Sequence, residues 1–152
     1  MSMYKRILVP LDGSETARHG LRQAIALAAD QKATLHLLYV TGDYPAAEAT
    51  IAAHFEHGSG STFECGEALL QEARVLASSL GVAAETQLRH RGGGSVADTI
   101  VQEARDAACD LIAIGTHGRR GLDRMLLGSD AERVLRQSPV PVLLVREPKK
   151  AA

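Results

Sequence analysis

The stretch Asp110-Leu111-Ile112-Ala113-Ile114-Gly115-Thr116-His117-Gly118 runs from an apolar segment into a glycine-bearing loop, and Gly128-Ser129 closes that loop where a helical pattern over Asp130 to Gln137 begins. A short continuous apolar run is the pattern of a strand buried on both faces. A glycine-rich loop between such a strand and a helix lets bare backbone approach an anion. The helix start adds unpaired N–H groups and a partial positive charge. The spacing of Gly115, Gly118, Gly128 and Ser129 is Gly-x2-Gly-x9-Gly-Ser, and it marks a place to hold phosphate.

Upstream, Ile7-Leu8-Val9-Pro10-Leu11 is another apolar run, ended by Asp12-Gly13-Ser14. Ser14 has the chemistry of an N-cap and Glu15 suits a first helical turn. Ala17, Leu21, Ala24, Ile25 and Ala28 then recur at helical spacing and predict a helix to about Ala29. Thr34 to Val40 predicts a second strand. Tyr44-Pro45 marks a turn, residues 46–57 carry a short helical pattern closed by Gly58, and Ser59-Gly60-Ser61 is a break, so 43–61 is expected to be an irregular insert. Ser61-x-x-Glu64 is a capping box for a helix from about Thr62 to Leu80, stopped by Gly81. Val82 to His90 alternates, with Val82, Ala84, Thr86 and Leu88 on one side, and predicts a third strand. After the Gly92-Gly93-Gly94 loop, Ser95 caps a helix with Ala97, Ile100, Val101 and Ala104 on its apolar face. Ser129-x-x-Glu132 is a second capping box, which places Ser129 as the N-cap of the last helix. Pro139 ends that helix, Pro141 to Val145 is the fifth strand, and 147–152 is a tail.

Strands alternating with helices specify a parallel sheet covered on both faces. The expected fold is one α/β domain over residues 1–152, a doubly wound five-stranded parallel sheet of Rossmann-like kind. Lys plus Arg is 17 and Asp plus Glu is 18, a net charge of −1, and aromatic residues are 3% with no Trp. That balance disfavours a nucleic-acid or membrane-surface binder. The two cysteines, Cys65 and Cys109, are too few for a disulfide framework. No apolar run reaches the ~18 residues of a membrane span. The first residues show no signal-peptide apolar region, and a cytoplasmic location is expected.

In open parallel sheets, ligands bind beyond the carboxyl ends of the strands where the strand order reverses. With strand order 3-2-1-4-5, the reversal lies between strands one and four. The turn Pro10, Leu11, Asp12, Gly13, Ser14 and the loop Gly115 to Ser129 then stand side by side. The chain has no Gly-x4-Gly-Lys-Ser/Thr, and no Gly-x-Gly-x-x-Gly follows the first strand, so neither the P-loop nor the dinucleotide fingerprint applies. Gly92-Gly93-Gly94-Ser95 also precedes a helix, and a turn with an N-cap accounts for it better than an anion site.

On Ile7 to Ser14, Asp110 to Gly118, and Gly128-Ser129 through Ala131-Glu132-Arg133-Val134-Leu135 to Ser138-Pro139-Val140-Pro141-Val142-Leu143-Leu144-Val145, the chain resembles the universal stress protein family, in its ATP-binding branch. The resemblance implies the 3-2-1-4-5 sheet, a homodimer built through Pro141 to Val145, and ATP (or ADP or AMP) between the two loops. It places Asp12 and the Val40 backbone beside adenine and ribose. It places Gly115, Thr116, His117, Gly118, Arg119, Arg120 and Gly121 around the sugar and phosphates. Gly128, Ser129 and the amides of Asp130 and Ala131 would meet phosphate oxygens. Asp130 departs from the family pattern, where a small or apolar residue is usual. Its carboxylate opposes a triphosphate unless a divalent cation such as Mg2+ bridges them, since like charges about 4 Å apart cost roughly 1 to 4 kcal/mol. Arg119 and Arg120 offset it if they point inward.

Each feature also has a plainer reading. Asp12 is a turn residue before Gly13 as well as a nucleotide contact, and Ser129 is a cap as well as a phosphate ligand. His117 is a loop histidine or a phosphate contact. Arg119, Arg120 and Arg124 are a solvated basic cluster or phosphate partners. His54, His57 and Cys65 lack the fourth ligand of a zinc site, and an exposed polar helix explains the histidines. His36 is expected to face a helix and to be satisfied by a hydrogen bond. The fifth strand is an apolar sheet edge of the kind that invites pairing. Three functions remain open at this point: a nucleotide-dependent stress-response regulatory module, a slow ATPase, and a scaffold whose site stays empty. No recognisable catalytic set accompanies Asp12, Asp130 or His117.

Overall fold

The computed structural model describes residues 2–42, 62–116 and 127–147. The elements run β1 (Arg6–Leu11), α1 (Glu15–Gln31), β2 (Thr34–Thr41), α2 (Thr62–Ser79), β3 (Ala84–His90), α3 (Val96–Asp106), β4 (Leu111–Gly115), α4 (Ser129–Gln137) and β5 (Val142–Val145). The expected insert at 43–61, with its short helix and the capping Ser61, lies outside the described residues, as do His117 to Leu126 and the tail from 148.

The five strands form one parallel sheet in the order β3-β2-β1-β4-β5. Strand alternation divides the core in two. Ile7, Val9, Leu11, Leu35, Leu37, Tyr39, Leu111 and Ala113 face α1 and α2, where Leu21, Ile25, Leu69 and Leu70 meet them. Leu8, Leu38, Ile112 and Ile114 face α3 and α4, against Ile100, Val101 and Val134. Each Ile, Leu or Val side chain among these contributes about 1.5–3 kcal/mol when fully buried, so the contiguous apolar runs of β1, β2 and β4 are explained by burial on both faces. β3 is an edge strand, which leaves Glu85, Thr86 and Gln87 exposed. Its bounds are two residues shorter than the alternation from Val82 predicts, although Val82 itself is buried.

The apolar faces predicted for α1 and α3 are all buried. Ser14 caps α1 by accepting from the Ala17 N–H at 3.1 Å. α1 ends later than expected, at Gln31, and Lys32 takes the left-handed cap conformation (φ 57) usually given to glycine. Ser95 caps α3 in a reciprocal box with Asp98. The hydrogen bond from the Ser95 backbone N–H lowers the Asp98 pKa first of all, and this carboxylate already serves the helix start. The plain turn-and-cap reading of the Gly92–Ser95 loop therefore holds.

One cap prediction fails. The N-cap of α4 is Gly128, not Ser129, and Ser129 is the first helical residue. Gly128 has extended ψ (150) and its carbonyl already accepts the Glu132 N–H at 2.9 Å. Glu132, expected to reach back in a capping box, instead pairs with Arg136 one turn onward at 2.8 Å.

His36 meets its expectation within a larger network. It is 5% exposed, and its Nε2 lies 2.8 Å from Glu103 Oε1 on α3, itself 6% exposed. Arg6, which can only donate, approaches His36 Nδ1 at 3.4 Å. Nδ1 therefore accepts, and Nε2–H donates to Glu103. Arg89 of β3 completes the pairing of Glu103 at 2.7 Å and reaches Asp106 at 3.1 Å, while Arg6 also pairs with Glu85. Cys109 is buried close by, and burial pushes its thiol up to about 11. The native thiol should thus resist iodoacetamide at pH 8 and react only on unfolding; alkylation followed by mass measurement, with and without urea, checks this. The sign for stability follows. Between pH 9 and about 11 the folded state holds a proton that the unfolded thiol releases, so stability falls as pH rises through that window.

Candidate functional site

The candidate site lies where the ladder between β1 and β4 ends. β1 pairs with β2 along its whole length, from Arg6 with Thr34 to Leu11 with Tyr39. Its ladder with β4 covers only Ile7 with Leu111 and Leu8 with Ile112. β4 meanwhile stays paired with β5 to Gly115 with Val145. Pro10 supplies the reason. The Lys5 carbonyl accepts from Thr34 on β2, and the Arg6 carbonyl accepts from Asp110 on the β4 side. Backbone groups alternate sides along a strand, so Arg6, Leu8 and Pro10 face β4. A proline there has no N–H to donate, and the ladder to β4 stops. The ladder ends at the carboxyl end of the sheet, at the reversal of strand order, the position where open parallel sheets take ligands.

The β1 turn and the described ends of the loop after β4 lie at this end of the sheet. On the β1 side, Pro10 and Leu11 are the last strand residues. Asp12 follows, its Oδ1 accepting from the Ser14 N–H at 2.9 Å, and Gly13 has φ 84, a conformation that favours glycine. The plain reading of Asp12 as a turn former is thus realised, and the Ser14 hydroxyl is engaged in its cap. Val40, half-buried near the end of β2, packs against the second core cluster. On the β4 side, Gly115 ends the strand directly against the first turn of α1, where a Cβ would stand 2.7 Å from Thr16 Cγ2. The two loops are therefore joined through Gly115 and Thr16, a contact that no sequence motif announced.

The loop after β4 closes on itself. The Thr116 N–H donates to Val145 O at 3.0 Å, and the Gly128 N–H donates to Thr116 O at 2.6 Å. Entry and exit of the excursion are thereby clamped together, with the start of α4 seated on Thr116. Gly128 has no side chain to cap this helix, unlike Ser14 and Ser95 at theirs. The N–H groups of Ser129, Asp130 and Ala131 precede the first intrahelical bond. Ala131 is buried, while Ser129 and Asp130 are exposed. Thr116 is 6% exposed, and its Oγ1 is buried with no hydrogen-bond partner among the described residues. Buried hydroxyls are normally satisfied, so an orphan one beside an uncapped helix start fits a site built to receive a polar ligand. His117, Gly118, Arg119, Arg120 and Gly121 lie outside the described residues.

No group of three or more His, Cys, Asp or Glu side chains suited to a metal occurs among the described residues. Of the zinc candidates, His54 and His57 fall outside them, and Cys65 is buried in the first core cluster. No helix among the described residues is long and apolar enough to cross a membrane.

A parallel sheet wound both ways from its first strand defines the Rossmann-like α/β class. The family model for universal stress proteins matches residues 3–146. A curated relative, universal stress protein MJ0531 of Methanocaldococcus jannaschii, is 35% identical over 149 residues, covering 98% of this chain and 86% of that protein. The chain belongs to the universal stress protein family. Among solved structures, the protein MJ0577 superposes with a TM-score of 0.79 at 27% identity, over 97% of this chain and 99% of that one. A universal stress protein in complex with cAMP superposes with a TM-score of 0.70 at 27% identity, over 95% and 98% of the two chains.

Proposed function

We propose that this chain binds an adenine nucleotide, with ATP as the resident ligand, at the carboxyl ends of β1 and β4, and acts as a nucleotide-dependent regulatory module in stress response. The observation that carries the reading is the end of the β1–β4 ladder at Pro10, which falls at the reversal of strand order beside the Asp12 turn and the Gly115 end of β4. The cAMP complex of a structural relative lends support. Asp12 and the Val40 backbone hold the adenosine portion. The α4 start, Gly128 to Ala131, and the Thr116 hydroxyl meet phosphate oxygens with N–H and O–H donors. His117 to Gly121 complete the enclosure. When bound, the nucleotide supplies charge and phosphate acceptors. The chain's own part is to bind them and to tie the loop after β4 to the helix behind it. β5 is the partner edge: it is a sheet edge with Leu143 exposed, and we assign the homodimer to Pro141–Val145.

Heating the purified protein and weighing what it releases tests the reading. An adenine nucleotide in the supernatant, near one per chain, is expected; no nucleotide released, together with no binding of added nucleotide, sinks it. Sedimentation of the same sample should show a dimer at micromolar concentration, and a stable monomer removes the edge-pairing part.

A further inference from the structure

We propose that β3 is a self-complementary edge: a second copy of this chain pairs with it antiparallel, about a two-fold axis through Gln87. The inference is independent of the nucleotide reading and of the assignment of β5.

β3 ends the sheet on its side. The direction of its backbone groups is set at both ends. The Ala83 carbonyl accepts from the Leu35 N–H at 2.9 Å, and the Arg91 N–H donates to the Thr41 carbonyl at 3.0 Å. Odd-numbered residues therefore turn their backbone groups to β2, and Ala84, Thr86 and Leu88 turn theirs outward. The Leu88 carbonyl accepts from the Gln87 side chain at 3.1 Å, a neighbour standing in for a strand. Such an outward row of backbone donors and acceptors is a template for another strand. The side chains select which strand. Glu85, Gln87 and Arg89 lie on the α3 face: Glu85 pairs with Arg6, Arg89 pairs with Glu103, and Leu38, the β2 neighbour of Gln87, packs in the second core cluster. Glu85 and Arg89 are opposite in sign and stand two places either side of Gln87. A two-fold axis there sets each Glu85 across from the partner's Arg89, a contact made twice, as an isologous interface requires. The same axis sets Thr86 across from the partner's Leu88. These residues have outward backbone groups, so the hydrogen-bonded pairs fall where the donors and acceptors are. Glu85 and the partner's Arg89 then form the other kind of pair, in which side chains stand closer. Both charges can reach across: Glu85 is exposed, and Arg89 holds Glu103 and Asp106 through Nη1 alone. Any other antiparallel register gives up both ion pairs, and parallel pairing in register aligns like charges. An edge guarded by lysines repels its own copy; this one attracts it.

Disulfide trapping in the full chain tests this. The axis brings the two copies of position 87 to a Cα separation of about 4.5 Å, within the ~4.4–6.8 Å of a disulfide. Cys65 and Cys109 are buried and do not compete. Under mild oxidation Gln87→Cys should give a linked dimer. Glu85→Cys should not, because its two copies stand about 13 Å apart along the strands. Adding Glu85→Lys to Gln87→Cys should slow linkage about tenfold, since it sets like charges across the axis twice. Adding Thr86→Pro, which removes an outward N–H and no bond to β2, should abolish linkage. In sedimentation without oxidant, the mass of wild type should rise with concentration beyond that of Thr86→Pro. No linkage of Gln87→Cys, linkage of Glu85→Cys at an equal rate, or linkage indifferent to Glu85→Lys and Thr86→Pro in variants that melt like wild type, overturns the inference. None of these readouts depends on bound nucleotide or on β5.

Discussion

Glu103→Ala should destabilise the fold by about 3 kcal/mol, the lower end of the cost of breaking a buried ion pair from one side. Glu103 is 6% exposed and accepts from two directions, from His36 Nε2–H at 2.8 Å and from Arg89 at 2.7 Å. Removing it strands the imidazole, which is 5% exposed, and an unsatisfied buried donor costs about 1–3 kcal/mol. Arg89 suffers less, because it keeps Asp106 at 3.1 Å and is part-exposed. Glu103→Gln keeps an acceptor for the imidazole and should cost about half as much. In a double-mutant cycle with His36→Leu, the pair should couple by about 1–3 kcal/mol, since removing both partners leaves no orphan. Urea unfolding followed by circular dichroism measures each value. Equal losses for Glu103→Ala and Glu103→Gln would mean that the carboxylate's charge, not its acceptor role, holds α3 to β2.

This network shows where the sequence stops being legible. His36 and Glu103 are separated by 67 positions, and only the sheet order and the placement of α3 bring them together. The runs Ile7–Leu11 and Leu111–Gly115 were legible because burial on both faces leaves an unbroken apolar signature. Ser14 and Ser95 were legible because a capping hydroxyl acts within three residues. The same local logic failed at Ser129, since a Ser-x-x-Glu pattern cannot say whether its serine or the glycine before it takes the cap position; the Gly128 carbonyl, which accepts from the Glu132 N–H, marks the glycine as the cap. Lys32 was missed because no glycine announced its left-handed cap. At the site, spacing marked the glycine loop and topology put it beside Asp12. The end of the β1–β4 ladder at Pro10 required knowing which side of the strand faces β4. The orphan hydroxyl of Thr116 required knowing what surrounds it.

Gly115→Ala should cost about 2–3 kcal/mol of stability, in the range for forcing atoms into a packed contact. An added Cβ would meet Thr16 Cγ2 at 2.7 Å and the Thr16 backbone carbonyl at 3.0 Å. A methyl can turn aside, but the backbone of a helix's first turn cannot move alone. α1 must shift away from the end of β4, taking with it the Ser14 cap and the Asp12 turn. Thr16→Ser in the same chain removes only the methyl part of the clash and should restore a fraction of the loss. Gly20→Ala is the control one turn along α1. Its Cβ would meet Gly115 N at 3.5 Å, an ordinary contact. Helix propensity then favours the alanine by up to about 1 kcal/mol, so this variant should be neutral or slightly stabilised. The two substitutions therefore separate crowding at Gly115 from packing of α1 in general. On the nucleotide reading, Gly115→Ala should also weaken adenine nucleotide binding at temperatures where it stays fully folded, since the first turn of α1 and the loop after β4 share that contact. Unfolding curves with titration on the folded fraction make the distinction. If Gly115→Ala and Gly20→Ala behave alike, the close approach at Thr16 is not what fixes the two loops to one another.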